Sequence, residues 1–117
     1  MPSSPTSRSV AEHYHWGESC DGWHLVRTDA LSVIEERMPP GTREVRHRHA
    51  AARQFFYVLA GVLTMEIDGT RHVLLPRTGI EIAPGVAHQA FNDGDTDAEF
   101  IVVSTPPSHG DRIAADA

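Results

Sequence analysis

The residues best suited to chemistry are three histidines, His47, His49 and His88, together with Gln54. His47 and His49 are one residue apart and stand before an apolar run. Imidazoles beside apolar residues are costly to bury unless they are hydrogen-bonded or bound to a metal ion. The spacing therefore indicates a metal site or proton chemistry, although two histidines alone fit a surface pair at least as well, since two ligands do not make a site.

Strand geometry decides where these side chains point. Residues two apart in a strand share a face, so Val45, His47 and His49 lie on one side. If Val45 marks the interior, both imidazoles point inwards. By the same parity, His88 and Asn92 share one face of a later strand.

The elements that position these residues are predicted to be strands, because the hydrophobic pattern has mostly a period of two and no long amphipathic helix is evident. The predicted strands are 23–28, 31–38, 42–49, 54–60, 62–67, 70–75, 79–83, 88–92 and 98–104. Asp68-Gly69 is a hairpin signal between two of them. Many short strands separated by turn residues predict a β-sandwich or a closed β-barrel.

The chain of 117 residues fits one domain. Residues 1–10 are rich in Ser, Thr and Pro, and we expect a flexible N-terminus there. Residues 11–105 are predicted to form the single barrel domain. Residues 106–117, which include His109, are predicted to form a C-terminal tail with at most one short helical turn.

The order of these residues resembles the two sequence motifs of the cupin family, small barrels also called jelly rolls. The first motif has a glycine, an H-x-H pair, a glutamate and a second glycine. The corresponding positions are Gly41, His47, His49, Gln54 and Gly61. The end of the second motif is matched by Gly85, His88 and Asn92. Its first glycine falls on Arg77 and its proline on Ala83, which are departures from the pattern.

The resemblance implies an all-β, double-stranded β-helix (jelly-roll) barrel that binds one divalent transition metal ion at its centre. The implied ligands are His47, His49 and His88, with Gln54 as the fourth. Zn, Mn, Fe, Ni and Co all suit such a set. The family also implies a homodimer, which the edge strands of a small barrel favour. A barrel in which the histidines are only hydrogen-bonded is the alternative.

Gln54 stands where the family usually has a glutamate. An amide oxygen binds a metal ion more weakly than a carboxylate and brings no charge, so a divalent ion here keeps its full charge. This favours anionic or enolisable substrates and Lewis-acid chemistry. Cupins with three histidines and a glutamine resemble two groups, small proteins that convert unsaturated uronates and zinc-containing polyketide cyclases. Alternatively, Gln54 only hydrogen-bonds a ligand histidine.

These features predict a metal-dependent enzyme, isomerase-like or cyclase-like, that acts on a small carbonyl-rich or anionic substrate. One alternative is an iron-type dioxygenase, and another is a non-catalytic barrel that binds a small ligand. A titratable side chain facing the cavity would favour an enzyme. The candidates in the sequence are Tyr57, Glu66 and Glu81.

His13 and His15 repeat the H-x-H spacing near the N-terminus. With no third ligand evident nearby, a strand that packs on a partner subunit is a better prediction than a second metal site. Trp16 and Trp23 would suit such an interface.

Composition limits the remaining classes of partner. Hydrophobic residues make up 40% and charged residues 22% of the chain, which predicts a folded domain. A net charge of −6 argues against nucleic acid as the main partner. The single cysteine, Cys20, favours a reducing compartment. No apolar run approaches the ~20 residues of a membrane helix, so we predict a soluble cytoplasmic protein without a membrane partner.

Overall fold

A computed structural model describes residues 3–108 and 110–115 of the chain, and these residues form strands and no helix. The strands are β1 Glu12–Trp16, β2 Cys20–Arg27, β3 Ser32–Met38, β4 His47–His49, β5 Arg53–Ala60, β6 Leu63–Ile67, β7 Thr70–Leu74, β8 Gly79–Ile82, β9 His88–Phe91, β10 Ala98–Thr105 and β11 Arg112–Ala114. The all-β prediction is confirmed, and none of the described residues belongs to a helix that could cross a membrane. His109, which the sequence places in the tail, lies outside the described residues.

The strands form two antiparallel sheets. The first has the order β1-β2-β3-β10-β5-β8, and the second has the order β11-β4-β9-β6-β7. Buried apolar side chains of both sheets join in one core cluster, with Val58 and Phe100 from the first sheet and Leu63 and Met65 from the second. Two sheets with crossing connections around one core are the architecture of a jelly roll, as predicted.

Strand β5 illustrates how the sequence selects the interior. Gln54, Phe56 and Val58 are buried, whereas Phe55 and Leu59 are partly exposed. Successive side chains of a strand point to opposite faces, so the parity that buries the apolar residues also carries the Gln54 amide inside. The prediction that these three side chains share a face is confirmed.

One prediction around β4 is wrong, and one strand beside it was not predicted. Val45 precedes β4 and is 67% exposed, so it does not mark the interior that buried His47 and His49 face. Residues 112–114 form a strand rather than a helical turn, with Arg112 opposite His49. The physical reason is that β4 has an edge not covered by β9, and the tail satisfies its backbone hydrogen-bonding groups.

The turn between β5 and β6 depends on Gly61. Its φ of 73° lies in the left-handed region that favours glycine. A Cβ atom at this position would also collide with the backbone carbonyl oxygen of Asp97. The chain entering β10 therefore packs directly against the Gly61 backbone.

Candidate metal centre

Strand pairing brings the three predicted histidines together. His47 and His49 lie in β4 and His88 lies in β9, and all three are buried. The strands pair with His47 opposite His88, and His49 follows two residues later on the same face. One possible ligand atom from each ring lies within 4.8 Å of the others. Atoms at this spacing can all bind a single metal ion.

Each of the two imidazoles at the β4–β9 pair is held by its Nδ1 atom. His47 Nδ1 lies 2.8 Å from the Val45 carbonyl oxygen, and His88 Nδ1 lies 3.0 Å from that of Val86. A carbonyl accepts a hydrogen bond, so the proton of each neutral ring is on Nδ1 and the lone pair is on Nε2. Both rings are therefore fixed in the tautomer that binds a metal ion through Nε2.

The third imidazole is oriented by a residue that sequence reasoning missed. His49 Nδ1 lies 2.8 Å from Asp111 Oδ1, and Asp111 Oδ2 accepts hydrogen bonds from the N–H groups of Ala51 and Ala52. Burial opposes ionisation of Asp111, but these N–H groups and His49 hold its pKa below the ordinary value. Asp111 is thus a carboxylate that fixes the His49 ring, and no local signal links residues this far apart in the sequence.

Replacing Asp111 with alanine is expected to weaken metal binding by roughly 10- to 100-fold, because partners that orient metal-binding histidines contribute about that much. Affinity can be measured by competition with a chromogenic chelator. Asp95→Ala, in the exposed turn before β10, is the control and should bind as the wild type does. Equal affinities for the two variants would contradict a positioning role for Asp111.

Two buried polar atoms near these rings lack a hydrogen-bond partner among the described residues, Gln54 Oε1 and His88 Nε2. Gln54 Nε2 donates to Ser104 Oγ at 3.0 Å, which leaves the amide oxygen as the unused group. A buried acceptor without a partner costs roughly 1–3 kcal/mol. A cation that accepts both lone pairs removes this cost, so the residues present fit a metal ion.

Burial also keeps two of the imidazoles, those of His47 and His88, neutral. It lowers the pKa of His47 to about 3 and shifts the pKa of His88 in the same direction. Because only a neutral imidazole has a free lone pair, these rings can bind a metal ion without first losing a proton at neutral pH.

Two of the histidines, His47 and His49, line a cavity of about 240 Å³ whose wall also contains Gln54 and two carboxyl groups, Glu36 and Glu44. Burial raises the pKa of Glu36 to about 7 and that of Glu44 to about 8. Carboxyl groups with such values exchange protons near neutral pH.

Tyr14 and Arg112 complete the polar part of this cavity. The Tyr14 hydroxyl donates to Glu36 Oε2 at 3.2 Å. Arg112 also lines a larger groove of about 850 Å³ outside, which shares Trp16 and Glu44 with the cavity. The groove and the cavity therefore adjoin each other at these residues.

None of the three titratable residues suggested by the sequence lines this cavity. Glu66 pairs with Arg46, and Glu81 pairs with Arg53 at the surface. Tyr57 is on the outward face of β5. Glu36 and Tyr14 line the cavity instead. The sequence did not identify them, because polar and charged residues in an alternating strand usually face solvent.

The described geometry has counterparts among known proteins. A family model described as "Cupin domain" matches residues 34–104. Protein SchB of Streptomyces halstedii is 34% identical over 62 residues, which cover 53% of this chain and 45% of SchB. This chain spans only 45% to 65% of the length of the curated relatives that it matches.

Solved structures resemble nearly the whole chain. KdgF from Halomonas sp. superposes with a TM-score of 0.83 at 18% identity, covering 92% of this chain and 97% of KdgF. The polyketide cyclase RemF from Streptomyces resistomycificus superposes with a TM-score of 0.86 at 16% identity, covering 99% of this chain and 87% of RemF. At these identities the likeness shows a common fold.

Proposed function

Because this chain belongs to the cupin family, we propose that it is a metal-dependent enzyme acting on a small carbonyl-rich or anionic substrate. His47, His49 and His88 bind one divalent transition metal ion through Nε2, and Gln54 binds it through Oε1. When bound, the ion supplies Lewis-acid polarisation of a substrate oxygen. The observation that carries the proposal is the pair of buried ligand atoms, His88 Nε2 and Gln54 Oε1, which have no hydrogen-bond partner within residues 3–108 and 110–115. They lie near a cavity with titratable walls.

Glu36 is the proposed proton acceptor. It lines the cavity with His47 and His49, and burial brings its pKa to about 7, close to the pH at which a base works efficiently. The Tyr14 hydroxyl donates to one carboxyl oxygen of Glu36 and so orients the other. Proton removal from carbon next to a polarised carbonyl is the step that this arrangement supports. Such a group beside the histidines favours an enzyme over a non-catalytic binding barrel.

Arg112 is the proposed contact for an anionic part of the substrate. Its Nη2 donates to the Val45 carbonyl oxygen at 3.1 Å, and the side chain lines both the groove and the cavity. A guanidinium has five N–H donors and binds carboxylates in a bidentate manner. The neutral Gln54 ligand adds to this preference, because it leaves the positive charge of a divalent ion uncompensated.

Two further observations bear on the class of enzyme. RemF is a polyketide cyclase with the same fold, which supports a carbonyl-rich substrate without naming one. We also propose a homodimer, because β1 ends the first sheet and one side of its backbone is available to a second copy.

Hydrogen–deuterium exchange tests the proposal without knowledge of the natural substrate. The metal-loaded protein is mixed in D₂O with a panel of 2-oxo acids and 1,3-dicarbonyl compounds, and loss of the α-proton signal is followed by NMR. We expect exchange to be faster than with metal-stripped protein. Removal of a general base typically costs roughly 10²- to 10⁴-fold, so Glu36→Gln should keep its metal and lose exchange by that factor.

The control is Glu81→Gln, which alters an exposed carboxylate paired with Arg53 and should exchange as the wild type does. Wild-type exchange rates in Glu36→Gln would remove Glu36 from the mechanism. A metal-loaded wild type that exchanges no compound of the panel faster than stripped protein would contradict the enzyme and leave a binding barrel.

A further inference from the structure

A second group of metal-binding side chains lies away from the cavity, on the β1–β2 hairpin. His13 Nε2 lies 2.7 Å and His15 Nδ1 lies 3.2 Å from the same atom, Asp21 Oδ1. In the register of the hairpin His15 is opposite Asp21, and His13 is two residues away on the same face. The third ligand that the local sequence did not reveal is therefore supplied by strand pairing.

The Asp21 carboxylate is held so that one oxygen faces the two imidazoles. Arg37 Nε donates to the other oxygen, Oδ2, at 2.8 Å, and Arg37 Nη1 also pairs with Asp97. Burial opposes ionisation of Asp21, but His13 and Arg37 hold its pKa below the ordinary value. The carboxylate thus has a fixed orientation and a negative charge. Carboxylates that bind metal ions are usually held by hydrogen bonds of this kind.

We propose that His13 Nε2, His15 Nδ1 and Asp21 Oδ1 form a second binding site for a divalent transition metal ion, with Zn²⁺ as the reference ion. Two histidines and a carboxylate are a common donor set for zinc. Ligands at about 2.1 Å from a tetrahedral ion lie roughly 3.4 Å apart. The 3.2 Å between His15 Nδ1 and Asp21 Oδ1 is close to this value, and the 2.7 Å between His13 Nε2 and Asp21 Oδ1 must widen when an ion replaces their hydrogen bond. His15 is 80% exposed, so its ring can turn to admit the ion without disturbing the core.

The position of this site connects it to the wall of the cavity. Tyr14 lies between His13 and His15 and points to the opposite face, where it lines the cavity. Its ring packs so closely over Gly22 of β2 that a Cβ atom there would collide with it. An ion that bridges β1 and β2 therefore stabilises the edge strand that carries Tyr14. The site itself does not depend on the proposed function of the cavity.

Calorimetric titration of tag-free, metal-stripped protein with Zn²⁺ tests this site. We expect two equivalents for the wild type and for His72→Ala, whose histidine belongs to neither cluster. His15→Ala should lose one equivalent, and because its side chain is exposed we expect it to fold normally, which circular dichroism verifies. Identical stoichiometry and affinity in the wild type and His15→Ala would overturn the site.

A second pair of variants keeps the two sites distinguishable. His88→Ala, which removes a ligand of the cavity, should retain one equivalent, and His15→Ala/His88→Ala should bind none. Zinc binding by the double variant at the affinity of His88→Ala would overturn the hairpin site, whereas unchanged binding in His88→Ala alone would count only against the cavity site.

Fluorescence gives a local readout of the hairpin site. Quenching of Trp23 by bound Co²⁺ should be present in Trp16→Phe and lost when His15→Ala is added, because the Trp23 ring lies 5.2 Å from that of His13.

Discussion

Replacing His88 with alanine should strip the metal ion from the barrel. The ring of His88 lies 4.5 Å from that of His47 and 5.8 Å from that of His49, and its buried Nε2 has no hydrogen-bond partner in the part of the chain that the structure describes. Loss of a direct ligand should exceed the roughly 10- to 100-fold effect of losing a supporting contact. Elemental mass spectrometry of protein purified without tag or chelator measures the bound metal. Because the hairpin site should still bind one equivalent, the comparison is made in a His15→Ala background, where we expect near-complete loss when His88→Ala is added and unchanged content when His72→Ala is added.

A parallel variant, Gln54→Ala, decides whether the amide binds the ion. If Gln54 Oε1 is a ligand, metal affinity falls measurably, since only three imidazoles remain. If the amide only donates its hydrogen bond to Ser104, metal affinity stays at the wild-type value. Solvent or substrate then supplies the fourth ligand in the wild type as well. Full metal content in His88→Ala would rule out the histidine trio as the site.

The second large effect is on stability, at Gly61. Gly61→Ala places a methyl group against the Asp97 carbonyl oxygen in addition to forcing a left-handed backbone on alanine. We expect a loss of more than roughly 3 kcal/mol in the free energy of unfolding, since backbone strain and overpacking add. Gly41→Ala is the matched control, because Gly41 has a similar φ of 78° but open space at the Cβ position. It should lose only about 1–2 kcal/mol, the cost of a left-handed backbone for alanine.

Urea denaturation of both variants at one pH, without metal, gives the two losses directly. The difference between them isolates the close approach of the chain entering β10. If Gly41→Ala and Gly61→Ala lose the same free energy of unfolding, the turn relaxes around the added methyl group. Only the backbone conformation then requires glycine at position 61.

Local periodicity predicted most of the strands, whereas the grouping of His47, His49 and His88 was implied by the resemblance to the cupin motifs. The parity of β5 correctly placed Gln54 and Phe56 on the inner face, because burial alternates along a half-buried strand. The same reasoning failed at Val45, because this residue precedes β4 and is not part of the strand. Parity describes residues within an element, and it loses its meaning where the element ends.

What the sequence could not reveal depends on pairing between distant strands. Asp111 reaches His49 only because β11 pairs with β4, and Asp21 meets His15 only through the register of β1 and β2. Glu36 lies in an alternating strand whose charged residues read as solvent-facing, yet its carboxyl faces the cavity. In each case a residue acquires its role from a neighbour that is remote in sequence, so no local pattern predicts it.

The dependence of His49 on Asp111 also imposes an order on biosynthesis. A nascent chain that has already exposed all three cavity histidines still lacks the carboxylate that orients one of them, because Asp111 is translated after β10. Until that segment leaves the ribosome, the His49 ring is free to rotate and either of its nitrogens can face the cavity. The ligand set is therefore completed only after β10 has been synthesised, and a growing barrel cannot hold an ion with its final geometry before then.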